Sequence, residues 1–403
     1  MPAWLTGTSR TWTGRRSPIK LLRRSGKSAG FRHLRLLRET RSQCLNSEVT
    51  VDAGSGAYRV LIGNALLDSV GHAIADVLPG RRRAIIISDT TVGPLFAERV
   101  QTSLQRVGLD ALIHFVPAGE NSKSIEQVTN VTEAMMRDGF DRKSFVVGLG
   151  GGVIGDLSGF VAAIFHRGIP HVQIPTTLLA MVDSSIGGKT AINTDFGKNL
   201  LGAVHQPSLV IDDLDLLKTL PAREFNQGFA EIIKHGIIAD AEMFEALRQR
   251  KFTTGSELEE LVKRNVEIKA RIVAGDEDDR AGKRAILNFG HTIGHGIERA
   301  GGYRDFFHGE AIALGMVAAA RISVKRAGLA ANEEKSMEQV LNLYSLPTKL
   351  PASIDRAEIL NAVTADKKFE SGAVRFVVTP KIGSAYLSSD VTIEDIEEAI
   401  NDL

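Results

Sequence analysis

The stretch "SFVVGLGGGVIGD", residues 144–156, is an apolar run that passes through glycines into a second apolar segment. Gly150, Gly152 and Gly155 match the G-x-G-x-x-G spacing, in which a buried strand turns tightly into a helix. Such a turn lets backbone N–H groups and a helix N-terminus approach a pyrophosphate. However, it is not the first strand–helix unit, and no acidic residue follows about 20 positions later to hold a ribose. The motif therefore fits either a dinucleotide site or an ordinary strand-to-helix turn.

The sequence around this stretch alternates short apolar runs with helical periodicity. Strands are predicted for "YRVLIG", "RRAIIISD", "DALIHFV", "SFVVGLG", "HVQIP" and "SLVIDD", and helices for 94–107 and 124–138. This alternation predicts a mostly parallel sheet with helices on its faces. After "TLPAREF" helices are predicted for "QGFAEIIKHGII", "ELEELVKRNVEIKARIVA", "HTIGHGIERA" and "GEAIALGMVAAARISVKRAG", and a hairpin for "GAVRFVVTPKIGSAYL".

These patterns predict three parts: a basic leader at 1–47, an α/β domain at 48–217 and a mainly helical domain at 218–403. A binding site is expected in the cleft between the two domains. The leader carries 11 Lys and Arg within residues 1–41 against one acidic residue, Glu39. It is typical of an organellar transit peptide, but a disordered leader or a start codon assigned too early fits as well. Deleting residues 1–41 is expected to leave activity intact.

Composition excludes several classes of protein. Beyond the leader, 38 Lys and Arg stand against 47 Asp and Glu, a net charge of about −9, so no basic face for nucleic acid is expected. No apolar run is long enough to span a membrane. Cys44 is the only cysteine, which excludes disulfides and thiolate metal ligands from the body and suits a reducing compartment.

Polar residues at strand ends and in a second glycine-rich segment are candidates for ligand binding. Asp89, Glu120 and Lys123 follow predicted strands, where they suit either a nucleotide or ordinary turn chemistry. The segment "DSSIGGKTAINTDFGKN", residues 183–199, resembles a P-loop, but Asp183 replaces the first glycine. Its Lys189, Lys198 and Asn199 suit an anionic ligand, although surface lysines are often only solvated.

Glu231, His291 and His308 are the candidate metal ligands, because one carboxylate and two imidazoles leave a coordination position open on zinc. In "LNFGHTIGHGIE", residues 287–298, His291 and His295 share one helix face. They fit a ligand pair, a ligand with a proton carrier, or two ordinary polar residues. "HTIGH" lacks the Glu of H-E-x-x-H, and the surrounding glycines indicate close approach to the backbone.

One further pair is predicted on the helix that carries Glu231. Lys234 lies three residues later, so its ammonium and the Glu231 carboxylate should converge on one face.

Taken in order, several motifs resemble the 3-dehydroquinate synthase family. They are "GGGVIGD", "FHRG", "QIPTTLLAMVDSSIGGKTAIN", "GKNLLGA", "LKTLPAREF", "GFAEIIKHG", "LNFGHTIGHGIE", "HGEAIALGM" and "DKK", spread over residues 49–400. The resemblance implies a Rossmann-like NAD-binding domain and a helical metal- and substrate-binding domain. It also implies NAD⁺, one divalent metal (zinc, with cobalt as the alternative), a homodimer and a cytoplasmic enzyme, or an organellar one if the leader is a transit peptide.

The resemblance also assigns roles to residues of this sequence. Glu231, His291 and His308 match the metal ligands, whereas His295 is placed beside the substrate. The remaining substrate and phosphate contacts match Arg167, Asp183, Lys189, Asn199, Lys234, Lys269, Arg284, Asn288 and one of Lys367 or Lys368. The NAD contacts match Asp89, Glu120, Lys123, Gly151, Gly152, Asp156, Thr176, Thr177, Lys198, Thr219 and Leu220.

The implied reaction turns 3-deoxy-D-arabino-heptulosonate 7-phosphate into 3-dehydroquinate and phosphate. A secondary alcohol is oxidised by NAD⁺, phosphate is eliminated, the ketone is reduced again, and an intramolecular aldol step closes the ring. Three alternatives remain: another sugar-phosphate cyclase, an NAD- and metal-dependent polyol dehydrogenase, and a non-catalytic nucleotide-binding protein. Only the dehydrogenase would consume NAD⁺ stoichiometrically.

Overall fold

The computed structural model describes residues 47–54, 56–276, 282–364 and 374–403, all within one compact unit, Cys44–Leu403. Residues 1–46 of the predicted leader and the pair Lys367 and Lys368 lie outside these ranges. The strands are β1 (Ser47–Asp52), β2 (Ala57–Gly63), β3 (Arg83–Asp89), β4 (Asp110–Val116), β5 (Phe145–Gly150), β6 (His171–Pro175), β7 (Lys189–Thr194), β8 (Gly197–Val204), β9 (Leu209–Asp213), β10 (Phe376–Lys381) and β11 (Ser384–Ser388). The α-helices are α1 (Val70–Val77), α2 (Gly93–Arg106), α3 (Ile125–Arg137), α4 (Gly152–Ile164), α5 (Ala222–Ala239), α6 (Ala241–Gln249), α7 (Gly255–Val273), α8 (His291–Ala300), α9 (His308–Ala327), α10 (Ala331–Leu343), α11 (Arg356–Thr364) and α12 (Ile393–Asn401).

A seven-stranded sheet in the order β1-β2-β9-β6-β5-β3-β4 forms the first half of this unit. β1 runs antiparallel to β2, and the other neighbours in the sheet are parallel. Every residue of β5, β6 and β9 is buried. This explains their unbroken apolar runs, because helices cover both faces of a parallel sheet. The predicted α/β architecture is confirmed.

The order of the strands creates a crevice at the carboxyl ends of β3 and β5. From β3 the chain moves outward to β4 and then returns to β5 on the other side of β3. The connections that follow β3 and β5 therefore run in opposite directions and leave a crevice between them at the carboxyl ends of the two strands. Ligands of open α/β sheets bind in such a crevice. Asp89 ends β3 and Gly150 ends β5, so both flank the crevice.

The second half is helical, as predicted, and α9 lies at its centre. Most residues of α9 are buried, and most of these are alanine, glycine or aliphatic residues. The helix packs against α5, α8 and β10. α7 packs on β1 and β2, so the helical half contacts the sheet directly. The boundary predicted at 217/218 falls between β9 and α5 and stays a prediction. None of the described helices is long and apolar enough to cross a bilayer.

The segment 183–199 contains a feature that the pattern did not predict. After a short π-helix at Ala180–Ser184, β7 and β8 form an antiparallel hairpin of their own. The hairpin exposes Phe196, Leu200, Leu201 and Val204, and Phe196 has 94% of its surface accessible. Because β8 is not half-buried, its residues do not alternate between apolar and polar, and only the glycines of this segment indicated a structural feature.

Candidate active site

The glycine turn after β5 leaves the N-terminus of α4 open. Gly151 precedes the helix, and no described side chain caps its first N–H groups. A Cβ on Gly151 would lie 3.2 Å from Thr177 Cγ2, and one on Gly152 would lie 3.1 Å from Ser184 Oγ. Glycine therefore permits close packing here, while the uncapped N–H groups and the helix dipole suit an anionic pyrophosphate.

Lys123 is buried and lies at the centre of a polar cluster beside this turn. Its Nζ donates to Asp156 Oδ2 at 2.6 Å and also to Asn199 Oδ1. Burial raises the pKa of Asp156, and Lys123 opposes that shift without cancelling it. Asn193 Nδ2 donates to Glu120 Oε1 at 2.8 Å, and Asn193 Oδ1 accepts the Asn199 N–H at 3.0 Å. The structure thus brings predicted cofactor residues together with Asn199, a predicted substrate residue.

Asp89 makes local hydrogen bonds. Its Oδ1 accepts the N–H groups of Thr91 and Val92, both at 2.8 Å, which shapes the turn into α2. This is the turn chemistry that the sequence left open, and a ribose contact stays a prediction.

The predicted threonines follow the carboxyl ends of β6 and β9. Thr176 Oγ1 is buried and has no hydrogen-bond partner among the described residues, so it is available to a ligand or water. Thr177 Oγ1 accepts the Ala180 N–H at 3.1 Å. Thr219 Oγ1 donates to Leu216 O at 3.0 Å, and Leu220 is the next residue.

Glu231, His291 and His308 converge from three helices. Glu231 is in α5, His291 is the first residue of α8, and His308 is the first residue of α9. Glu231 Oε1 lies 3.5 Å from His291 Nε2 and 3.4 Å from His308 Nε2. One ligand atom from each residue lies within 4.8 Å of the others. Two imidazoles and one carboxylate at this spacing fit a zinc ion with an open position.

The other nitrogens of these imidazoles also have partners. His291 Nδ1 donates to Phe289 O at 3.2 Å, and His308 Nδ1 lies 3.6 Å from Glu298 Oε1. The hydrogen bond of His291 fixes its tautomer and leaves Nε2 to bind a metal, and the nearby Glu298 carboxylate favours a proton on Nδ1 of His308. The residues present therefore fit the metal that the family resemblance implies.

Two buried ion pairs adjoin the ligands. Lys234 pairs with Glu231, as predicted, and Lys269 Nζ donates to the carboxylate and to the backbone oxygen of Asp183, the latter at 2.6 Å. Burial alone raises the pKa of Asp183, but Lys269 lowers it to about 2. Burial likewise raises the pKa of Glu231, yet Lys234 and then His291 hold it well below its ordinary value. Both carboxylates are consequently ionised at neutral pH.

The other predicted substrate residues lie at different distances from this centre. His295 is half-exposed, and its ring centroid lies 5.3 Å from that of His291, so it faces the open side. Arg284 is buried with Nη1 3.4 Å from Gly187 O, and Asn288 ends the same short turn, Lys283–Asn288. Lys189 is exposed at the start of β7.

Arg167 lies at the opposite end of α4 from the glycine turn. It follows the C-terminal end of α4, with a φ of +69°, whereas the glycine turn lies at the N-terminal end. A helix of 13 residues separates them by about 20 Å.

Two residues near the centre were not predicted. Glu298, in α8, is buried between His308 and Lys198; its spacing of three from His295 was the signal available in the sequence. His235, in α5, is fully buried, and its Nδ1 lies 3.0 Å from Asn265 Oδ1. Burial, and then Lys234, lower the pKa of His235 to about 4.

The fold and the site together define a nucleotide-binding α/β enzyme with a Glu–His–His cluster that could hold a metal ion. The family models described as 3-dehydroquinate synthase N-terminal and C-terminal match residues 113–227 and 228–369. The 3-dehydroquinate synthase of Symbiobacterium thermophilum is 43% identical over 352 residues, which cover 86% of this chain and 98% of that protein. The chain belongs to the 3-dehydroquinate synthase family.

Two solved structures have the same fold. A 2-deoxy-scyllo-inosose synthase complexed with carbaglucose-6-phosphate, NAD⁺ and Co²⁺ matches with a TM-score of 0.80 and 25% identity, over 88% of this chain and 99% of that one. The 2-epi-5-epi-valiolone synthase of Streptomyces hygroscopicus subsp. jinggangensis 5008, with NAD⁺ and Zn²⁺ bound, matches with a TM-score of 0.77 and 30% identity, over 86% and 96% of the chains. The predicted fold class is confirmed.

Proposed function

We propose that this protein is a 3-dehydroquinate synthase that converts 3-deoxy-D-arabino-heptulosonate 7-phosphate into 3-dehydroquinate and phosphate. The observation that supports this most directly is the Glu231–His291–His308 cluster beside two buried lysines. When bound, NAD⁺ accepts and returns a hydride, and the divalent metal, zinc or alternatively cobalt, polarises the reacting alcohol.

The residues around the cluster supply binding and orientation. Lys234 and Lys269 place two ammonium groups beside the metal ligands, which suits a substrate with carboxylate and phosphate groups. Asp183, held ionised by Lys269, can accept hydrogen bonds from substrate hydroxyl groups. Arg284 offers a planar guanidinium for a carboxylate, and half-exposed His295 can exchange a proton with bound substrate. Lys189 and Asn199 extend the polar lining along the β7–β8 hairpin.

One assay separates this function from a polyol dehydrogenase. The protein is incubated with the heptulosonate phosphate and NAD⁺ at one tenth of the substrate concentration, and phosphate release is measured together with absorbance of NADH. We expect many phosphate ions released per NAD⁺ and no net NADH, because the hydride returns within each turnover. Accumulation of NADH up to the amount of NAD⁺ supplied, without phosphate release, would instead identify a dehydrogenase.

We also propose that the protein acts as a homodimer. Arg167 matches a substrate contact of the family but lies about 20 Å along α4 from the glycine turn, an arrangement that suits supply of this residue by a second copy. The β7–β8 hairpin exposes Phe196 and Leu200, and a paired hairpin would cover this apolar surface.

Light scattering after gel filtration tests the dimer. We expect twice the chain mass for the parent protein and a shift toward the monomer for the double variant Phe196→Ser, Leu200→Ser. Leu95→Ser, which alters an exposed apolar side chain on α2, should keep the dimer. A monomeric parent protein would contradict the proposal.

A further inference from the structure

Glu298 is a buried carboxylate that meets side chains from two other elements. Only 4% of the residue is exposed, near the end of α8. Its Oε1 lies 3.1 Å from Lys198 Nζ in β8 and 3.6 Å from His308 Nδ1 at the start of α9. A buried carboxylate is costly unless charged or hydrogen-bonding groups compensate it, and these two groups do so here.

The contact with His308 acts on the metal site. His308 Nε2 faces Glu231 Oε1 at 3.4 Å, so the opposite ring nitrogen is the one directed at Glu298. An acceptor at Nδ1 keeps the proton there, leaves the Nε2 lone pair for the metal and makes the imidazole a stronger ligand. His291 receives the same support from a neutral carbonyl, that of Phe289, whereas His308 receives it from a charged group.

The contact with Lys198 connects Glu298 to a residue that is predicted to bind the nucleotide. Lys198 belongs to the β7–β8 hairpin, and its ammonium lies 4.4 Å from the ring centroid of Tyr303, just beyond α8. Glu298 therefore joins the hairpin to the helix that carries His291. His295, Glu298 and His308 also lie close enough together to hold a cation. Because the ammonium of Lys198 already compensates the charge on Glu298 Oε1, we expect this oxygen to bind a second cation poorly.

We propose that Glu298 is a positioning residue that links the metal ligand His308 to Lys198 through one carboxylate oxygen. Metal and dinucleotide then strengthen each other's binding, because each favours the arrangement in which Glu298 holds both side chains. The nucleotide half of this inference rests on the proposed function and on the contact between Lys198 and NAD⁺ that the family resemblance implies; the metal half does not rest on that contact.

The metal half is tested by zinc affinity. The protein is stripped of metal, and its Kd for Zn²⁺ is measured by competition with a chromophoric chelator. We expect Glu298→Ala to weaken zinc binding about 10- to 100-fold. Glu298→Gln keeps an acceptor oxygen for His308 and should restore affinity to within about threefold of the parent. Glu298→Met, which has similar length but no acceptor oxygen, should bind zinc as weakly as Glu298→Ala; parent-like affinity in Glu298→Met would show that the side chain serves only the packing of α8.

Glu259→Gln is the matched control, since Glu259 is also a buried glutamate on a helix and its Oε1 accepts a hydrogen bond from Ser47 at 3.0 Å. It should leave the zinc Kd unchanged. A zinc Kd for Glu298→Ala within twofold of the parent would overturn the proposal.

The linkage is tested by the Kd for NAD⁺, measured by calorimetry with and without Zn²⁺. We expect zinc to tighten NAD⁺ binding at least about fivefold in the parent protein. The ratio should fall toward one in Glu298→Ala and in Lys198→Met, while Lys198→Met retains the parent zinc Kd. A ratio unchanged by both substitutions would refute the linkage. Failure of the parent protein to bind NAD⁺ at all would instead contradict the proposed function and leave the zinc result standing.

Discussion

His291 and His295 share a helix face, yet their surroundings differ. His291 is buried with Nε2 directed at Glu231, and His295 is half-exposed beside it. The spacing alone left three interpretations open, and the family resemblance, not the periodicity, separated a metal ligand from a substrate contact. The geometry is compatible with that division, which stays a prediction.

Alanine substitutions test the division directly. We expect His291→Ala and His308→Ala to lose metal together with activity, because each removes one of three ligands. His295→Ala should retain metal and lose activity by at least about 100-fold, as expected when a proton-transferring group is removed. Metal content after gel filtration, measured by atomic emission, checks both results. Loss of metal from His295→Ala would contradict the division.

Other site residues could not be predicted because their partners are distant in the sequence. Glu298 is 100 residues from Lys198, and Asn265 is 30 residues from His235. Periodicity shows which face of a helix a residue occupies, but the element on the other side depends on tertiary packing.

At the level of secondary structure, the glycines of "LNFGHTIGHGIE" make room for neighbouring helices. A Cβ on Gly290, whose φ is +78°, would lie 2.6 Å from Met316 Cγ, and one on Gly315 would lie 2.0 Å from Gly290 O. α8 and α9 therefore cross with backbones in direct contact, which sets the separation of the two histidines at their N-termini. The sequence indicated a close approach, and the structure identifies α9 as the neighbour.

Gly315→Ala should consequently force the two helices apart. We expect a loss of about 3 kcal/mol or more in the free energy of unfolding, because a methyl group would overlap backbone that has no room to move. Urea denaturation measures this loss. Gly80→Ala, which has a φ of +81° but open space around it, should cost only about 1 kcal/mol. Equal losses in the two variants would contradict the steric explanation.

Strands and helices buried in a regular pattern were predicted well, and the β7–β8 hairpin was not. β5 has a long apolar run because both of its faces are covered, and α9 has one because the helix is buried all round. β8 instead places four consecutive residues in solvent, so neither strand alternation nor an apolar run marks it.

For the whole molecule, a buried histidine at the centre of the sheet links folding to pH. His171, in β6, is fully buried and stacks on His205 with ring centroids 5.0 Å apart. Burial, and then His205, lower its pKa from 6.5 to about 3. Between these two pKa values His171 is protonated in the unfolded chain but neutral in the folded protein. The free energy of unfolding therefore decreases as the pH falls from 6.5 toward 3.

Between pH 7.5 and pH 5.5 this residue should account for a loss of about 1.4 kcal/mol in the free energy of unfolding. We expect His171→Asn to be less stable at both pH values but to lose about 1.4 kcal/mol less between them. Urea denaturation at the two pH values measures the difference. His72→Gln, which alters an exposed side chain, serves as the control. An unaltered pH dependence in His171→Asn would show that the loss arises elsewhere.

The position of β9 between β2 and β6 has a consequence for biosynthesis. β2 pairs with β9 through residues 59–63 and 209–213, so the first hairpin cannot join the main sheet until the ribosome has added about 150 more residues. At typical elongation rates this takes roughly 10 to 30 s, during which the edge of β2 lacks its final partner; β6, made later, waits only for about the last 35 residues. Unpaired edges can recruit strands from other chains. The nascent polypeptide is thus most vulnerable to aggregation before Asp213 emerges, and chaperone capture should be strongest for stalled chains that end upstream of it.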